Sequence, residues 1–228
     1  MVLLILSMLL QVKERLEIKK IDNKRVGIYG GAFDPLHFGH LRPIEEIFSY
    51  HNLDVIHFVP TNISNSEKII YASQDNRLEM LKIGLTNKAY IVDDRELCRG
   101  GTSYAIDTIK SISKQYGNAN IYLIIGSDVL STIHKWKDFN HITRLSNIIV
   151  QSRVSKNIES LLNNQLKSLI STDLGIFHAE SYGKIYIQET SLVDISSTKI
   201  RDRLQKNQDI SNLTPPLIEK WLLERKIY

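Results

Sequence analysis

The stretch GGAFDPLHFGH, residues 30–40, follows a short apolar run at residues 25–29 and leads into apolar residues at helical spacing. Its two leading glycines allow a sharp turn and a close approach of a ligand to the backbone. A helix that begins near residue 38 or 39 would present unpaired N–H groups and the positive end of its dipole at this turn. His37 and His40 are three residues apart and therefore share one face of that helix. The stretch predicts a strand–turn–helix unit with an anion site at the turn.

Strand-length apolar runs alternate with stretches of helical period along the rest of the chain. We predict strands at 25–29, 55–59, 90–92, 121–125, 147–150 and 184–187, a loop at 62–73, and helices at 38–50, 76–85, 103–116, 158–170, 197–205 and 216–224. This alternation indicates right-handed crossovers and a parallel sheet covered on both faces. The predicted fold class is α/β, a Rossmann-like doubly wound parallel sheet that binds ligands beyond the carboxyl ends of its strands.

The length and composition fit one domain. The chain has 228 residues, of which 43% are hydrophobic, and no linker divides residues 25–228. Residues 1–10 are almost wholly apolar, but about 20 residues are needed to span a bilayer. They also lack the basic region and the cleavage site of a signal peptide. We therefore interpret residues 1–24 as an N-terminal extension, with a misassigned start as the alternative.

The net charge and the cysteine content indicate which kinds of partner and which cellular compartment to expect. The formal net charge is +4, from 29 basic and 25 acidic residues, which favours small anionic ligands and does not call for nucleic acid. The only cysteine, Cys98, cannot form an intramolecular disulfide, so we expect a cytoplasmic protein. No membrane partner is expected, and the sequence leaves a homodimer open.

A second motif, ISSTKIR, occupies residues 195–201 near the other end of the chain. Ser196 and Ser197 are good helix N-cap residues, and their hydroxyls and the N–H groups that follow can hold a phosphate. Arg201 lies three residues beyond Thr198, so it can reach the same helix end and bind phosphate through two N–H groups. For this motif alone, an ordinary capped surface helix is an equal alternative.

The two motifs together resemble the G-x-F-x-P-x-H-x-G-H and ISSTxxR signatures of the HxGH adenylyltransferases. Similarity to the bacterial nicotinate mononucleotide adenylyltransferases extends from about residue 25 to residue 228. The first motif contains neither the GxGxxG of dehydrogenases nor the GK[ST] of P-loop proteins. The resemblance implies a single nucleotidyltransferase domain that joins ATP and nicotinate mononucleotide into nicotinate adenine dinucleotide and pyrophosphate. It also implies Mg²⁺, held by the phosphates and not by protein ligands.

The resemblance assigns roles to individual residues. His37, His40 and Arg201 would stabilise charge while the α-phosphate is attacked. The implied ATP-binding residues are Gly30, Gly31, Ala32, Phe33, His37, His40, Gly126, Asp128, Ile195, Ser196, Ser197, Thr198 and Arg201. The implied mononucleotide-binding residues are Thr102, Ser103, Tyr104, Trp136, Lys137 and Arg153. Without the resemblance, Trp136 is as well explained by a place in the core.

One segment departs from the family pattern. Residues 60–68 read PTNISNSEK, where the family has a stretch such as PPHK or PPHR. Two alternatives to the main interpretation remain. One is another HxGH adenylyltransferase, with nicotinamide mononucleotide or pantetheine phosphate as the acceptor. The other is a nucleotide-binding module without catalysis.

Overall fold

The computed structural model of the chain describes residues 24–64, 69–153, 158, 161–191 and 193–228. The predicted N-terminal extension, apart from Lys24, and the side chain of Arg153 lie outside the described residues. Six strands form one sheet: β1 Arg25–Gly31, β2 Val55–Pro60, β3 Tyr90–Val92, β4 Asn120–Gly126, β5 Asn147–Arg153 and β6 Ile185–Thr190.

All neighbouring strands of the sheet are parallel, and their order is β3-β2-β1-β4-β5-β6. The carboxyl ends of the strands therefore lie along one edge. The strand order reverses direction between β1 and β4, and in sheets of this kind the crevice outside that point is the usual ligand site. The predicted α/β doubly wound fold is confirmed.

Helices cover both faces of the sheet. They are α1 Phe38–Tyr50, α2 Gln74–Gly84, α3 Arg95–Arg99, α4 Ala105–Tyr116, α5 Phe139–Leu145, α6 Asn164–Leu169, α7 Leu174–Ala179, α8 Ser197–Gln205 and α9 Pro216–Arg225, with a 3₁₀ turn at Ile133–Lys135. Ile44 of α1, Met80 of α2 and Trp221 of α9 belong to the apolar core on one face. Ile109 of α4 and Ile142 of α5 belong to the core on the other face.

Some predicted boundaries are wrong for local reasons. Helix α2 begins two residues before the predicted start, because the Ser73 hydroxyl caps it by accepting from the Asn76 N–H. Helix α4 begins at Ala105 and not at Ser103, because Tyr104 is extended. The helix predicted over 158–170 cannot run through Asn163, whose extended backbone and side chain start the shorter α6 there.

Three short helices, α3, α5 and α7, were not predicted from the sequence. Each has at most seven residues, too few to repeat a helical period. Pro43 is the sixth residue of α1 and lies inside the helix. No helix within the described residues is long and apolar enough to cross a membrane.

A buried polar cluster lies at the opposite edge of the sheet from the strand carboxyl ends. His51 Nδ1 lies 3.3 Å from His178 Nε2, and the Tyr122 hydroxyl lies 3.0 Å from His178 Nδ1. Burial lowers the pKa of His51 to about 3 and that of His178 to about 4. Their mutual repulsion and the nearby Arg25 guanidinium act in the same direction for His51. Both imidazoles are therefore neutral at pH 7.

This cluster predicts loss of stability in acid. In the unfolded chain the two histidines bind protons below about pH 6.5, whereas in the folded protein they resist protonation down to about pH 3–4. Stability therefore falls as the pH drops from about 6.5 towards 4. We expect Tm, followed by circular dichroism, to fall over this range, and to fall less steeply in His178→Gln. Equal slopes in the two proteins would contradict this origin of the acid sensitivity.

Candidate active site

The candidate site lies where β1 and β4 end, at the point where the strand order reverses. Gly31 ends β1, and Gly126 ends β4. The Thr61 N–H, just after β2, donates to the Gly31 carbonyl at 2.9 Å. A Cβ at Gly30 would meet nothing nearer than 4.0 Å. The backbone at the end of β1 is thus open for the close approach of a ligand.

The loop between β1 and α1 is held by aromatic packing. Phe33 has a φ of 50°, which is uncommon for a residue other than glycine. Its ring is 1% exposed and lies 5.7 Å from the ring of Tyr29 and 5.9 Å from that of Phe58, centroid to centroid. The His40 ring joins this cluster at 5.3 Å from Phe33. Burial of Phe33 offsets the cost of its left-handed backbone and fixes the loop beneath the histidines.

The two motif histidines form one stacked pair at the start of α1. Their ring centroids are 3.7 Å apart, and the planes differ by 24°. The backbone N–H of His37 donates to His40 Nδ1 at 3.3 Å. A neutral imidazole carries one proton, so this bond assigns the His40 proton to Nε2. His40 Nε2 is therefore a donor.

Both histidines of the pair are neutral at pH 7. Burial lowers the pKa of His40 to about 4. Burial, with repulsion from His40 as the second cause, lowers the pKa of His37 to about 2. Within the described part of the chain, the buried His37 Nδ1 has no hydrogen-bond partner. The pair thus offers neutral imidazole groups, which can hydrogen-bond a phosphate without bringing a fixed charge.

Gly39 joins the first motif to the second. A Cβ on Gly39 would lie 2.8 Å from the Ile195 carbonyl oxygen and 2.9 Å from the His37 ring. The Ser197 hydroxyl donates to the Pro35 carbonyl at 3.1 Å. The segment before α8 therefore packs directly against the loop that carries the histidines, although some 160 residues separate them. The two motifs do meet at one site.

A methyl group at Gly39 is expected to push the two motifs apart. The contacts of Gly39→Ala would be with a backbone oxygen and a stacked ring, which cannot move aside cheaply. We expect adenylyl transfer to fall by about 100-fold, as for a displacement of about 1 Å in a catalytic group, and Tm to fall by several degrees. Gly175→Ala, in α7, is the control, because its nearest contact is only the Asp173 side chain. Wild-type kinetics in Gly39→Ala would contradict the packing argument.

Arg201 reaches from α8 to the same loop. Its Nη1 donates to the Asp34 carbonyl at 2.6 Å, and its Nη2 donates to Thr198 Oγ1 at 3.2 Å. Its guanidinium lies 4.5 Å from the centre of the Tyr71 ring. These are its side-chain hydrogen bonds within the described residues, so three of its five N–H donors remain for a ligand.

The serines of the second motif have different tasks. Ser196 is the N-cap of α8, and its hydroxyl accepts from the Lys199 N–H at 3.2 Å. The Ser197 hydroxyl is already engaged with Pro35. The Lys199 N–H is taken by this cap. The groups at this helix end that suit a phosphate are therefore the backbone N–H groups of residues 197 and 198, which have no partner inside a helix.

Asp128 lies two residues beyond the end of β4. A Cβ on Gly126 would lie 2.5 Å from Asp128 Oδ1, so the absence of a side chain at Gly126 lets this carboxylate fold back over the strand end. The Asp128 charge adds to burial in raising the pKa of the Tyr29 hydroxyl. Asp128 therefore borders the crevice beside the end of β1.

The predicted mononucleotide residues gather beside this crevice. The Ser103 N–H donates to the Ile63 carbonyl at 3.0 Å, and Ser103 Oγ accepts from the Asn62 N–H at 2.9 Å. Thr102 pairs with Ile63 in an isolated bridge. These contacts attach the segment 102–104 to the segment after β2, which itself is bonded to the end of β1.

Lys137 completes this second group. Its Nζ lies 4.3 Å from the centre of the Tyr104 ring and 3.7 Å from Asp107 Oδ2. Trp136 and Tyr104 both pack, partly buried, against the core of that face. Trp136 thus serves the core with part of its ring and stays partly exposed beside Tyr104 and Lys137. For Arg153, only the position of its backbone at the end of β5 is described.

Several residues at the candidate site were not assigned to it from the sequence. Asn62 is 9% exposed, and its Nδ2 donates to the Gly101 carbonyl. Asp34 lies in the loop between β1 and α1, and Arg77 and Tyr228 both donate hydrogen bonds to that loop. Arg77 carried a signal, because it lies three and four residues before the buried Met80 and Leu81 on the apolar face of α2. Nothing in the sequence marked Tyr228, because its contact with Asp34 spans 194 positions.

Comparisons with known proteins place this geometry in a family. A model of the cytidylyltransferase-like family matches residues 28–203. The protein named "Probable nicotinate-nucleotide adenylyltransferase" of Psychromonas ingrahamii is 35% identical, over 91% of this chain and 99% of the relative. The protein of the same name from Dictyoglomus turgidum is 34% identical, over 90% of this chain and 95% of the relative.

Solved structures agree on the fold. The nicotinic acid mononucleotide adenylyltransferase of Plasmodium falciparum complexed with NaAD superposes with a TM-score of 0.68 at 22% identity, over 88% of this chain and 95% of that chain. The same Plasmodium enzyme complexed with APC gives a TM-score of 0.66 at 20% identity, over 89% and 96%. Together with the two motifs and their packing, these matches show that the chain belongs to the cytidylyltransferase-like family and, within it, to the nicotinate-nucleotide adenylyltransferases.

Proposed function

We propose that this chain transfers the adenylyl group of ATP to nicotinate mononucleotide, giving nicotinate adenine dinucleotide and pyrophosphate. The observation that carries the proposal is the packing of Gly39 against Ile195, which brings the histidine pair and Arg201 to one crevice. The names of the relatives and the NaAD complex of the Plasmodium enzyme support the same reaction.

In the proposed reaction the 5′-phosphate of the mononucleotide attacks the α-phosphorus of ATP, and pyrophosphate leaves. The substrate is its own nucleophile, so the protein acts by positioning and by stabilising charge. We assign His40 Nε2–H and the imidazole of His37 to the phosphate oxygens. Arg201 and the first-turn N–H groups of α8 supply further donors. The glycines at the end of β1 let the triphosphate approach the backbone.

Mg²⁺ fits the proposal as a partner of the phosphates. No group of three or more His, Cys, Asp or Glu side chains suited to a metal occurs among the described residues, and Mg²⁺ is commonly held through substrate phosphates with one or two carboxylates. When bound there, the metal would neutralise charge on the phosphate oxygens. In this proposal the phosphates are its main ligands.

The acceptor half of the proposal rests on the second group of residues. The exposed part of Trp136 offers a face for stacking a pyridine ring. The Ser103 N–H is bonded to the Ile63 carbonyl, so we assign the N–H groups of residues 102 and 104 to the carboxylate of that ring. Lys137 adds a cation nearby, although Asp107 also forms an ion pair with it.

A cytoplasmic location without nucleic acid or membrane partners is part of the same proposal. Cys98 is a free, exposed thiol.

The test is a comparison of acceptors. Purified protein with ATP and Mg²⁺ would be offered nicotinate mononucleotide, nicotinamide mononucleotide or pantetheine phosphate, and pyrophosphate and the joined product would be measured. We expect the highest kcat/KM with nicotinate mononucleotide. Pyrophosphate release with pantetheine phosphate alone would overturn the proposal. Binding of ATP with no turnover on any of the three acceptors would identify a nucleotide-binding module instead.

A further inference from the structure

The Asp34 carboxylate connects the loop between β1 and α1 with three other parts of the chain, which are residues 71–72, Arg201 and Tyr228. It is 2% exposed. Its Oδ2 accepts from the Tyr71 N–H at 2.7 Å, and its Oδ1 accepts from the Ala72 N–H at 3.0 Å. The Tyr228 hydroxyl donates to Oδ1 at 2.7 Å. Arg201 Nη1 lies 3.8 Å from Oδ2 and is bonded to the Asp34 carbonyl.

These contacts fix Arg201 through Asp34. The guanidinium lies between the Asp34 main-chain carbonyl and the Tyr71 ring. The Asp34 carboxylate in turn accepts a hydrogen bond from the Tyr71 N–H. Rotation of that carboxylate would release the Tyr71 N–H and shift the ion pair with Arg201. The Asp34 side chain is thus linked to Arg201 in two ways, directly by the ion pair at 3.8 Å and indirectly through Tyr71.

Tyr228 is the side-chain donor that pins this carboxylate. Burial, with the bond to Asp34 as the second cause, raises the pKa of its hydroxyl, so the proton stays on oxygen and is donated. The Tyr228 ring packs against the core formed by α1, α2 and α9, which holds the hydroxyl in place. Arg77 is also buried beside this loop, and its Nη1 donates to the Ala32 carbonyl at 2.9 Å.

We propose that Tyr228 is a positioning residue for the adenylyl transfer: its hydroxyl fixes the Asp34 carboxylate, and Asp34 in turn orients Arg201 towards the triphosphate. The inference rests on the proposed function, because Arg201 matters only if it contacts ATP. It also explains why a residue 194 positions from Asp34 lies beside the first motif. Tyr228 itself touches no reacting atom in this scheme.

The first test is Tyr228→Phe, which removes the hydroxyl and keeps the ring. A small displacement of Arg201 should lower kcat by about 10-fold, a part of the roughly 100-fold that a 1 Å misplacement can cost. KM for the mononucleotide should stay within about twofold, because that half of the site is untouched. Tyr122→Phe is the matched control, since it removes another buried hydroxyl bond, to His178 at the far edge of the sheet. It should lower Tm without changing kcat.

A double-mutant cycle with Arg201→Ala separates positioning from general stability. If Tyr228 acts through Arg201, Tyr228→Phe should have no further effect on kcat in the Arg201→Ala background. The same factor in both backgrounds, or wild-type kcat in Tyr228→Phe, would overturn the inference. Should Tyr228→Phe fail to fold, Asp34→Asn is the second variant, and full kcat there would also overturn it. Full activity of Arg201→Ala alone would instead overturn the proposed function.

Discussion

Replacing His40 with alanine is expected to lower kcat by roughly 100-fold to 1000-fold, the usual loss when one preorganised donor to developing charge is removed. The hydrogen bond from the His37 N–H to His40 Nδ1 leaves Nε2 as the donor. This assignment can be tested with two amides. The side-chain nitrogen of glutamine can occupy the place of Nε2, whereas asparagine reaches only as far as Nδ1. His40→Gln should therefore keep more activity than His40→Asn.

His178→Ala is the control for this series. It removes another imidazole with a lowered pKa, but one at the opposite edge of the sheet. Its kcat should match the wild type even if its Tm is lower. If His40→Asn were the more active of the two amides, the proton would have to be on Nδ1 and the hydrogen bond between His37 and His40 would be assigned wrongly.

Arg201→Ala is expected to lower kcat by about 100-fold, and Arg201→Lys by nearly as much. The guanidinium uses one N–H on the Asp34 carbonyl and another on Thr198 while offering more to a phosphate, which an ammonium group cannot reproduce. Steady-state kinetics with both substrates varied would check this. Arg203→Lys, in the same helix but bonded to the Asp209 carbonyl, is the control. Nearly full activity of Arg201→Lys would mean that charge alone suffices there.

The sequence predicted the parts of the fold that follow from local pattern. Helix α1 runs over Phe38–Tyr50, as its apolar period predicts, and all six strands were found because each is a strand-length apolar run. The short helices could not be found in this way. Helix α5 depends on Asp138 in a left-handed conformation and on burial of Phe139 and Ile142, which are set by packing and not by a repeated period.

The residues of the candidate site likewise fall into those that the sequence identified and those that only the structure shows. His37, His40 and Arg201 could be named because their residue types and spacing suit an anion site and because the two motifs that contain them resemble those of a known family. Asp34 and Tyr228 could not, since their importance comes from a tertiary hydrogen bond. Ser197 was expected to help hold a phosphate, but its hydroxyl is bonded to Pro35. Whether a hydroxyl is free for a ligand depends on its neighbours in space, which the order of residues does not specify.

The most direct test of the account is a crystal structure of the protein with a non-hydrolysable ATP analogue and Mg²⁺. We expect His40 Nε2 and the Arg201 guanidinium to lie within about 3.2 Å of phosphate oxygens of the same triphosphate, with Gly30 and Gly31 beneath it. A triphosphate bound elsewhere, or an Arg201 side chain that points away from the histidine pair in the complex, would contradict the claim that the two motifs act on one substrate.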